Sequence, residues 1–494
     1  MIFSSLQFAV FYAIVFLTYW LLPTRRARHG LLLAASCYFY MAWNAWMICV
    51  VLGITLWDYV LALAIAGSKR EAARKTCLIF SIVGNLGLLA VFKYADFFIL
   101  SFRDLSASIG LSVSLHSLHL ILPIGISFHI FQTLSYTIDV YRGTIKPERN
   151  LIDFALFVTF FPQLVAGPIV RATEFLPQLA TLKRFDWGRI ERGLFLFMVG
   201  LTKKLFIADI LAPIVDRVFA SPQSYGTIDL WLGMIAYGAQ IYCDFSGYSD
   251  MALAVAGMLG FDLPVNFRSP YLARNITDFW RRWHITLSTW LRDNVYIPLG
   301  GGRGGRWLTR RNLMVTMLLG GLWHGASWTF VFWGGIHGIL LIVDKLLRDD
   351  ESGQTMPSII GNGPFGISAR AVASWAITLL AVHVAWVFFR CQPILTASGD
   401  PEPLSVALGR AVEFVTHLFV YRSTADCTWL AGRQTVLSLA AMMMAMQAWT
   451  ELRRRGWRLP TWPVPVAATG YAAWLVALLL FSPDNKNPFI YFQF

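Results

Sequence analysis

The amino-acid sequence predicts an all-α polytopic membrane protein, on three observations. Hydrophobic residues make up 56% of the 494-residue chain and charged residues only 14%, whereas an ordinary soluble domain is about 25% charged. Mean hydropathy is +0.56. Apolar runs that approach the roughly 20 residues needed to cross a bilayer recur along the whole chain. A single globular core has no room for so much apolar surface.

We predict about 11–12 transmembrane helices, with interfacial or re-entrant helices among them. Phe8–Leu22 is interpreted as a retained membrane helix rather than a signal peptide, because it lacks a basic n-region and a cleavage motif. Basic groups at Arg25–Arg28 and Arg453–Arg458 place their loops in the cytoplasm under the positive-inside rule, which puts both chain ends outside. The candidate spans are residues 6–22, 31–46, 47–66, 77–102, 118–140, 151–170, 193–219, 228–260, 312–346, 369–391, 433–449 and 464–482.

Net charge and cysteine content give no support for nucleic-acid binding, a disulfide framework or a zinc site. The formal charge is +13, but the basic residues fall in short groups between apolar runs, so no basic face for nucleic acid is predicted. Six cysteines are present without CxxC spacing, which gives no basis for a disulfide framework or a zinc site.

Three regions depart from the pattern of spans. Residues 172–192 are polar and predict an interfacial segment, and residues 350–368 form the longest soluble-looking linker. Residues 261–311 are too polar to span the bilayer and too aromatic for a solvated loop. In this region four residues have the i, i+3, i+4, i+7 spacing of one helical face: Trp280, Trp283, His284 and Leu287. We expect a helix that lies in the interface or dips into the protein, with its aromatic face inward.

A second histidine lies in an apolar, glycine-rich stretch. His324 comes 40 residues after His284 and is followed by Gly325. Gly321 and Gly325 are four residues apart, a spacing that Gly334 and Gly338 repeat downstream, and small residues at this interval let membrane helices approach closely. Ionisable groups in a bilayer usually face a cavity or substrate path, and imidazole transfers protons near neutral pH. His324 is either catalytic or a structural histidine hydrogen-bonded across helices.

Two other histidines are interpreted differently. His337 follows His324 by 13 residues, about 220° around one continuous helix, and is predicted to face elsewhere and to pack. His129 follows Pro123 and Gly125, which predict a kinked helix or, alternatively, the lining of a tunnel.

The remaining polar motifs give weaker signals. Gly300–Gly305 contains GxGxxG without a βαβ unit, which predicts a flexible turn rather than a nucleotide site. Asp244 and Asp250 predict a structural polar network, with arginines of residues 268–292 as partners. Candidates for an anionic phosphate at the cytoplasmic surface are Arg303, Arg306, Arg310, Arg311, Lys203 and Lys204; for the two lysines, snorkelling is the alternative. There is no GxSxG elbow, HExxH or Walker lysine, so hydrolase, metalloprotease and NTPase machinery has no support.

Taken together, these motifs resemble the membrane-bound O-acyltransferase family, and within it the bacterial branch that O-acetylates exported polysaccharides, alginate first among them. The resemblance is carried by residues 122–128, 139–143, 150–154, 166–168, 244–252, 280–293, 319–326 and 489–494. It implies one membrane domain over residues 1–494, with a catalytic core at 118–345 and C-terminal helices at 346–494. Where the family often has Trp before His337, this chain has Ile336.

The resemblance also implies roles for individual residues. His324 is expected to be the catalytic base and His284 a second catalytic residue that orients substrate or assists proton transfer. No bound cofactor or metal is expected, and acetyl-CoA from the cytoplasm is the expected acetyl donor. The expected substrate-binding residues are Trp280, Trp283, Ser288, Trp323 and Arg282.

The resemblance places the chain in a bacterial inner membrane among lipids, beside a periplasmic acetyltransferase subunit that passes the acetyl group to the polymer. Nucleic acid is not expected as a partner. Three alternatives stay open: acetylation of cellulose or another exopolysaccharide, a transporter of lipid-linked or acetylated intermediates, and a scaffold for a secretion complex.

Overall fold

The fold is helical throughout the part of the chain that is described. A computed structural model describes residues 1–111, 113–349, 368–394, 402–423, 430–457, 464–481 and 489–490. Every regular element within these ranges is a helix, which confirms the predicted all-α class. Most of the predicted linker, residues 350–367, and the sixth cysteine, Cys427, lie outside the described residues.

The chain divides into two compact units. The first comprises Met1–Leu201 and Tyr248–Val265, and the second comprises Thr202–Gly247 and Asn266–Phe494. Helix α12, Thr227–Met258, contributes residues to both. All the residues expected to be catalytic or substrate-binding belong to the second unit.

The described residues of the first unit contain ten complete helices. They are α1 (Leu6–Leu21), α2 (Arg25–Met41), α3 (Met47–Gly67), α4 (Glu71–Leu89), α5 (Ala95–Ser108), α6 (Ile126–Tyr141), α7 (Leu151–Thr159), α8 (Phe161–Leu164), α9 (Ala172–Leu179) and α10 (Trp187–Leu201). A π-helical turn at Ala90–Tyr94 joins α4 to α5.

The second unit is built from longer helices around two short ones. Besides α12 they are α11 (Asp209–Ala220), α13 (Ile276–Arg282), α14 (Ile285–Leu291), α15 (Gly305–His324), α16 (Trp328–Asp349), α17 (Ala369–Arg390), α18 (Leu404–Phe419), α19 (Leu430–Arg454) and α20 (Val464–Phe481). Its described residues also include two π-helical turns, Thr202–Ala208 and Arg292–Tyr296, and two 3₁₀ turns, Pro222–Ser224 and Pro270–Leu272.

Helix α1 shows why the chain needs lipid. One face of the helix is buried, through Phe8, Phe11, Val15 and Tyr19. The opposite face is exposed and equally apolar, formed by Leu6, Val10, Ile14, Leu17 and Leu21. A helix on a water-soluble protein carries polar residues on its outer face. Aliphatic side chains on the outer face instead match a hydrocarbon solvent.

Four helical segments are long and apolar enough to cross a membrane, within the described residues. They are Met47–Gly67, Glu71–Ser108, Trp328–Leu347 and Ala369–Arg390, with shorter apolar helices at Leu6–Leu21 and Ala468–Leu478. The predicted total of 11–12 crossings and the side of each terminus stay predictions.

Several predicted boundaries are wrong for identifiable reasons. The predicted span 312–346 is two helices, because the non-helical residues Gly325–Ser327 separate α15 from α16. Helix α6 begins only at Ile126, since Pro123 and Gly125 precede the helix rather than kink it. Helix α18 was not predicted; its apolar residues Ala407, Ala411, Phe414 and Leu418 form a single buried stripe, too narrow to register as a span.

Buried polar side chains link three helices of the first unit. Asp58 on α3 accepts hydrogen bonds from Ser81 (2.5 Å) and Asn85 (2.8 Å) on α4, and Thr133 on α6 donates to Asn85 at 3.1 Å. On the same face of α6, His129 Nε2 lies 3.1 Å from the Thr55 hydroxyl of α3. His129 therefore belongs to a polar network between helices.

Glycines set the spacing of α15 and α16, the hairpin that ends at His324. A Cβ on Gly321 would lie 2.2 Å from the Phe330 carbonyl oxygen, and one on Gly334 would lie 2.3 Å from the Met317 carbonyl oxygen. Neither position has room for a methyl group. The predicted role of these glycines in close helix approach is confirmed, and it operates between two antiparallel helices.

We predict that Gly334→Ala lowers the Tm of the purified protein, because overpacking against backbone costs about 1–3 kcal/mol. Gly335→Ala is the matched control, since its Cβ would meet only Leu318 Cδ2, at 3.6 Å, and alanine favours a helix by about 1 kcal/mol over glycine. Equal Tm values for the two variants in a detergent melting experiment would show that the hairpin is not tightly packed.

Candidate active site

His324 is the last residue of α15, where the chain turns into α16. Its neighbour Gly325 is required by packing, because a Cβ there would lie 2.0 Å from the Phe330 ring. The carbonyl end of a helix carries partial negative charge and stabilises a cation placed there. This position therefore favours the imidazolium that forms when His324 accepts a proton.

Aromatic rings surround the His324 imidazole. Ring centroids of Trp323 and Trp333 each lie 5.1 Å away and that of Phe389 lies 5.3 Å away. The side chain is buried, with 4% of the residue exposed. Electrostatic effects on bound groups are strengthened in such a water-poor site.

His284 lies at a break between α13 and α14, where one continuous helix was predicted. That prediction is wrong, because His284 adopts the left-handed conformation, φ 41° and ψ 55°. Asn266 holds the break: its carbonyl accepts a hydrogen bond from Ile285 N at 2.9 Å, and its Oδ1 accepts one from the Thr286 hydroxyl at 2.7 Å. A non-glycine residue in this region costs free energy and persists only where its surroundings fix it.

The break brings His284 close to His324. Their ring centroids are 6.4 Å apart, and Trp323 contacts both rings. On its other side His284 meets Phe245 edge-on at 4.7 Å. Burial lowers the pKa of His284 to about 3, so this imidazole is neutral at physiological pH. It is suited to orient groups by hydrogen bonds rather than by charge.

A cavity of about 870 Å³ opens beside His324. Trp280 and Trp333 give it apolar walls, and Ser288, Thr289 and Thr316 add hydroxyl groups. Four cationic side chains also line it: Arg268, Arg281, Arg292 and Lys345. The cavity thus combines a buried imidazole, an aromatic wall and positive charge, the features expected of a site for an anionic small molecule.

The structure separates the predicted substrate-binding residues into two groups. Trp280 and Ser288 line the cavity together with His324. Trp283 is buried against Trp386, with ring centroids 5.0 Å apart. Trp323 lies between the two histidines. Their roles stay predictions.

Arg282 points into an ion-pair network. It pairs with Asp278 at 2.8 Å and with Glu451 of α19 at 3.8 Å. In the described residues, Arg282 and Trp283 are not among the groups that line the cavity. Most of the aromatic face of this segment is nevertheless buried, as predicted, with Trp280 partly exposed.

Sequence reasoning missed the cationic lining. Basic residues beside the glycine turn were predicted to meet phosphate, which stays a prediction: Arg311 donates to Asn312 and the Leu299 carbonyl, and Arg303 is exposed. The cavity takes its own positive charge from Arg268, α13, the π-helical turn and α16. For Lys345 of α16, the sequence did contain a signal. Leu341 and Lys345 follow Trp333 by 8 and 12 residues, and these positions share one helical face.

The buried carboxylates of α12 find a different partner from the one predicted. Lys204 Nζ lies 2.7 Å from Asp244 and 2.8 Å from Asp209, so the prediction of an arginine from residues 268–292 is wrong for Asp244. Ile490 N also donates to Asp244, at 2.6 Å. Lys203 packs over the Tyr242 ring. Both lysines are buried, which excludes snorkelling.

Cys, His, Asp and Glu side chains do not cluster in groups of three or more suited to a metal ion, within the part of the chain that is described.

Comparison with known proteins identifies the family. The sequence pattern of the membrane-bound O-acyltransferase family matches residues 145–349. Across its whole length the chain is 38% identical to a probable alginate O-acetylase of Pseudomonas putida, all of which is covered. The chain belongs to the membrane-bound O-acyltransferase family. It is therefore a membrane protein and an O-acyltransferase.

Two further relatives show the range within the family. A probable alginate O-acetylase of Pseudomonas aeruginosa is 43% identical over 80% of this chain and 73% of its own. A peptidoglycan O-acetyltransferase of Helicobacter pylori is 38% identical over 74% of this chain and 71% of its own.

The backbone and the ring of His284 can be tested separately. Both His284→Gly and His284→Ala remove the imidazole, but only glycine adopts positive φ without strain, and the left-handed conformation costs other residues about 1–2 kcal/mol. We therefore predict a higher Tm for His284→Gly than for His284→Ala. Melting curves in detergent measure the difference, and a more stable alanine variant would mean that the break at His284 is not held as described.

Proposed function

We propose that this O-acyltransferase transfers acetyl groups across the inner membrane for the O-acetylation of an exported polysaccharide, alginate first, and that His324 is the general base. The observation that carries the proposal is the position of His324 in the wall of a cavity lined by four cationic side chains. The likeness to alginate O-acetylases over most of the chain supports the acceptor class. The peptidoglycan O-acetyltransferase among the relatives makes another envelope glycan the alternative acceptor.

Acetyl-CoA from the cytoplasm is the proposed donor. Its phosphates are anionic, and its acetyl thioester lies at the far end of a flexible arm. Arginine side chains bind phosphate with paired donors, and lysine acts as a point charge. In this arrangement Arg268, Arg281, Arg292 and Lys345 hold the phosphates, and the arm passes Trp280 to bring the thioester to His324.

The reaction then proceeds by direct transfer. His324 removes the proton of the acceptor hydroxyl as its oxygen attacks the thioester carbonyl. The tetrahedral intermediate collapses, the C–S bond breaks, and the thiolate takes the proton from the imidazolium. The products are an acetyl ester and the free thiol, and His324 is neutral again. A positioned base of this kind contributes about 10²–10⁴-fold to the rate.

His284 is proposed as the residue that orients this chemistry. It is neutral and held by Asn266 through the neighbouring backbone. Its ring lies 6.4 Å from that of His324. A fixed neutral imidazole at this distance can align an acceptor or a thioester by one hydrogen bond without competing for the transferred proton.

We place the enzyme in the bacterial inner membrane as a multi-pass protein, with the donor arriving from the cytoplasm and the acceptor from outside. A polysaccharide is too large for a cavity of about 870 Å³. We therefore propose a periplasmic acetyltransferase partner that receives the acetyl group and passes it to the polymer. Polymer acetylation by the isolated chain would contradict the need for this partner.

His324→Ala is predicted to lower acetyl transfer by at least about 10²-fold while the protein still inserts into the membrane. The assay measures acetyl-CoA consumption and polymer acetylation in membranes of the producing cell. His116→Ala, which removes an exposed histidine of the first unit, is the control. Transfer at the parental rate by the His324 variant would refute the general-base assignment. Acetylated polymer without thioester turnover would favour a transporter.

Arg281→Gln is predicted to raise the KM for acetyl-CoA, because it removes one cation from the cavity without disturbing the base. The KM of the parent enzyme should rise with ionic strength, since salt screens exposed charges, and it should rise less steeply in the variant. Arg303→Gln serves as the control, because Arg303 is exposed in the glycine turn. If both variants keep the parental KM and salt dependence, the cationic lining does not bind the donor.

A further inference from the structure

His337 is a third histidine near the cavity, and its surroundings are unusual. The residue is completely buried, with 0% of its surface exposed. Neither ring nitrogen has a hydrogen-bond partner among the residues that the structure describes. Buried polar groups are nearly always hydrogen-bonded, and an exception calls for a specific explanation. The predicted angle of about 220° from His324 does not apply, because α15 and α16 are two helices, but the prediction that His337 packs is confirmed by its burial.

Four aromatic rings enclose the His337 imidazole. Trp333 and Trp280 approach edge-on, with ring centroids 4.8 Å and 5.1 Å away. Phe279 lies nearly parallel to it at 6.1 Å, and Trp386 lies 6.3 Å away. Such a pocket would suit a phenylalanine better than an imidazole, because it gives the two ring nitrogens no hydrogen-bond partner. A residue type that does not suit the packing around it is expected mainly at functional sites.

The position of His337 on α16 points to the cavity. Trp333, Leu341 and Lys345 all line the cavity, and His337 lies between them at the same spacing of four residues. These four residues therefore share one face of the helix, which extends for about 18 Å from Trp333 to Lys345 at 1.5 Å per residue. Trp333 also touches His324. His337 therefore lies along α16 between Lys345, at the cationic end of the cavity, and Trp333, which contacts His324.

Trp280 is the side chain that covers His337 on the cavity side. It lines the cavity and contacts His337 edge-on, and it is only partly buried.

We propose that His337 is a donor-binding residue of the cavity, uncovered when Trp280 turns aside, and that it hydrogen-bonds an amide of the donor's arm. This proposal rests on the proposed function, because the pantetheine arm of CoA supplies two amides between its phosphates and its sulfur. Imidazole matches an amide well, since it carries both a donor and an acceptor nitrogen. His337 would then recognise the arm, Lys345 the phosphate end and His324 the thioester.

The test compares binding of two probes to the purified full-length chain, CoA and adenosine 3′,5′-bisphosphate, which lacks the arm. His337→Phe is expected to weaken CoA binding about tenfold, the effect of one lost hydrogen bond, and to leave binding of the bisphosphate unchanged. Its Tm should equal or exceed that of the parent, because phenylalanine leaves no buried polar group unsatisfied. His337→Gln, which keeps a donor and an acceptor, should recover part of the CoA affinity.

His383→Phe is the matched control. His383 is also a buried histidine of the second unit, but its Nδ1 lies 2.8 Å from the Leu379 carbonyl oxygen. Its replacement should lower Tm without a selective loss of CoA affinity. Equal CoA affinity for the parent and His337→Phe would overturn the proposal for His337 and leave the proposed function intact. A parent chain that binds the bisphosphate but not CoA, or neither probe, would overturn both.

Discussion

The close contact between α15 and α16 is the constraint on which the rest of the second unit depends. Gly321 and Gly334 allow the two backbones to meet where any side chain would collide with a carbonyl oxygen. The hairpin places His324 at its turn and Trp333 directly beside it. Because α16 continues from this contact to Lys345, the same helix that supports the imidazole also carries the cationic end of the cavity. Helix packing thus sets the distance between Lys345 and the His324 imidazole.

The two histidines next to each other are fixed by different means and suited to different tasks. His324 lies at the carbonyl end of a helix, where positive charge is favoured, and it lines the cavity. His284 is held in a left-handed conformation behind it, wholly buried and neutral. The two positions therefore suit the two proposed roles, proton transfer by His324 and alignment of a substrate by His284.

Much of the architecture could be predicted from the sequence because lipid imposes strong composition rules. The all-α class follows from apolar content, and the glycine spacing around His324 anticipates a close helix contact. The sequence could not show that Gly325 interrupts a helix, since glycine is also common inside membrane helices. The break at His284 depends on Asn266, some 18 positions earlier in the chain, and such a tertiary contact leaves no periodic signal. The partners of Asp244 were missed for the same reason.

In the central proposal, the cavity holds an acetyl-CoA donor with its sulfur at His324 and its phosphates among the four cationic side chains. Cryo-electron microscopy of the full-length protein with CoA bound tests this most directly. We expect density for the thiol beside the His324 ring and for the phosphates near Arg281 and Lys345. Density for CoA at another site, or a His324 that faces acyl chains with no passage from the cavity, would contradict it.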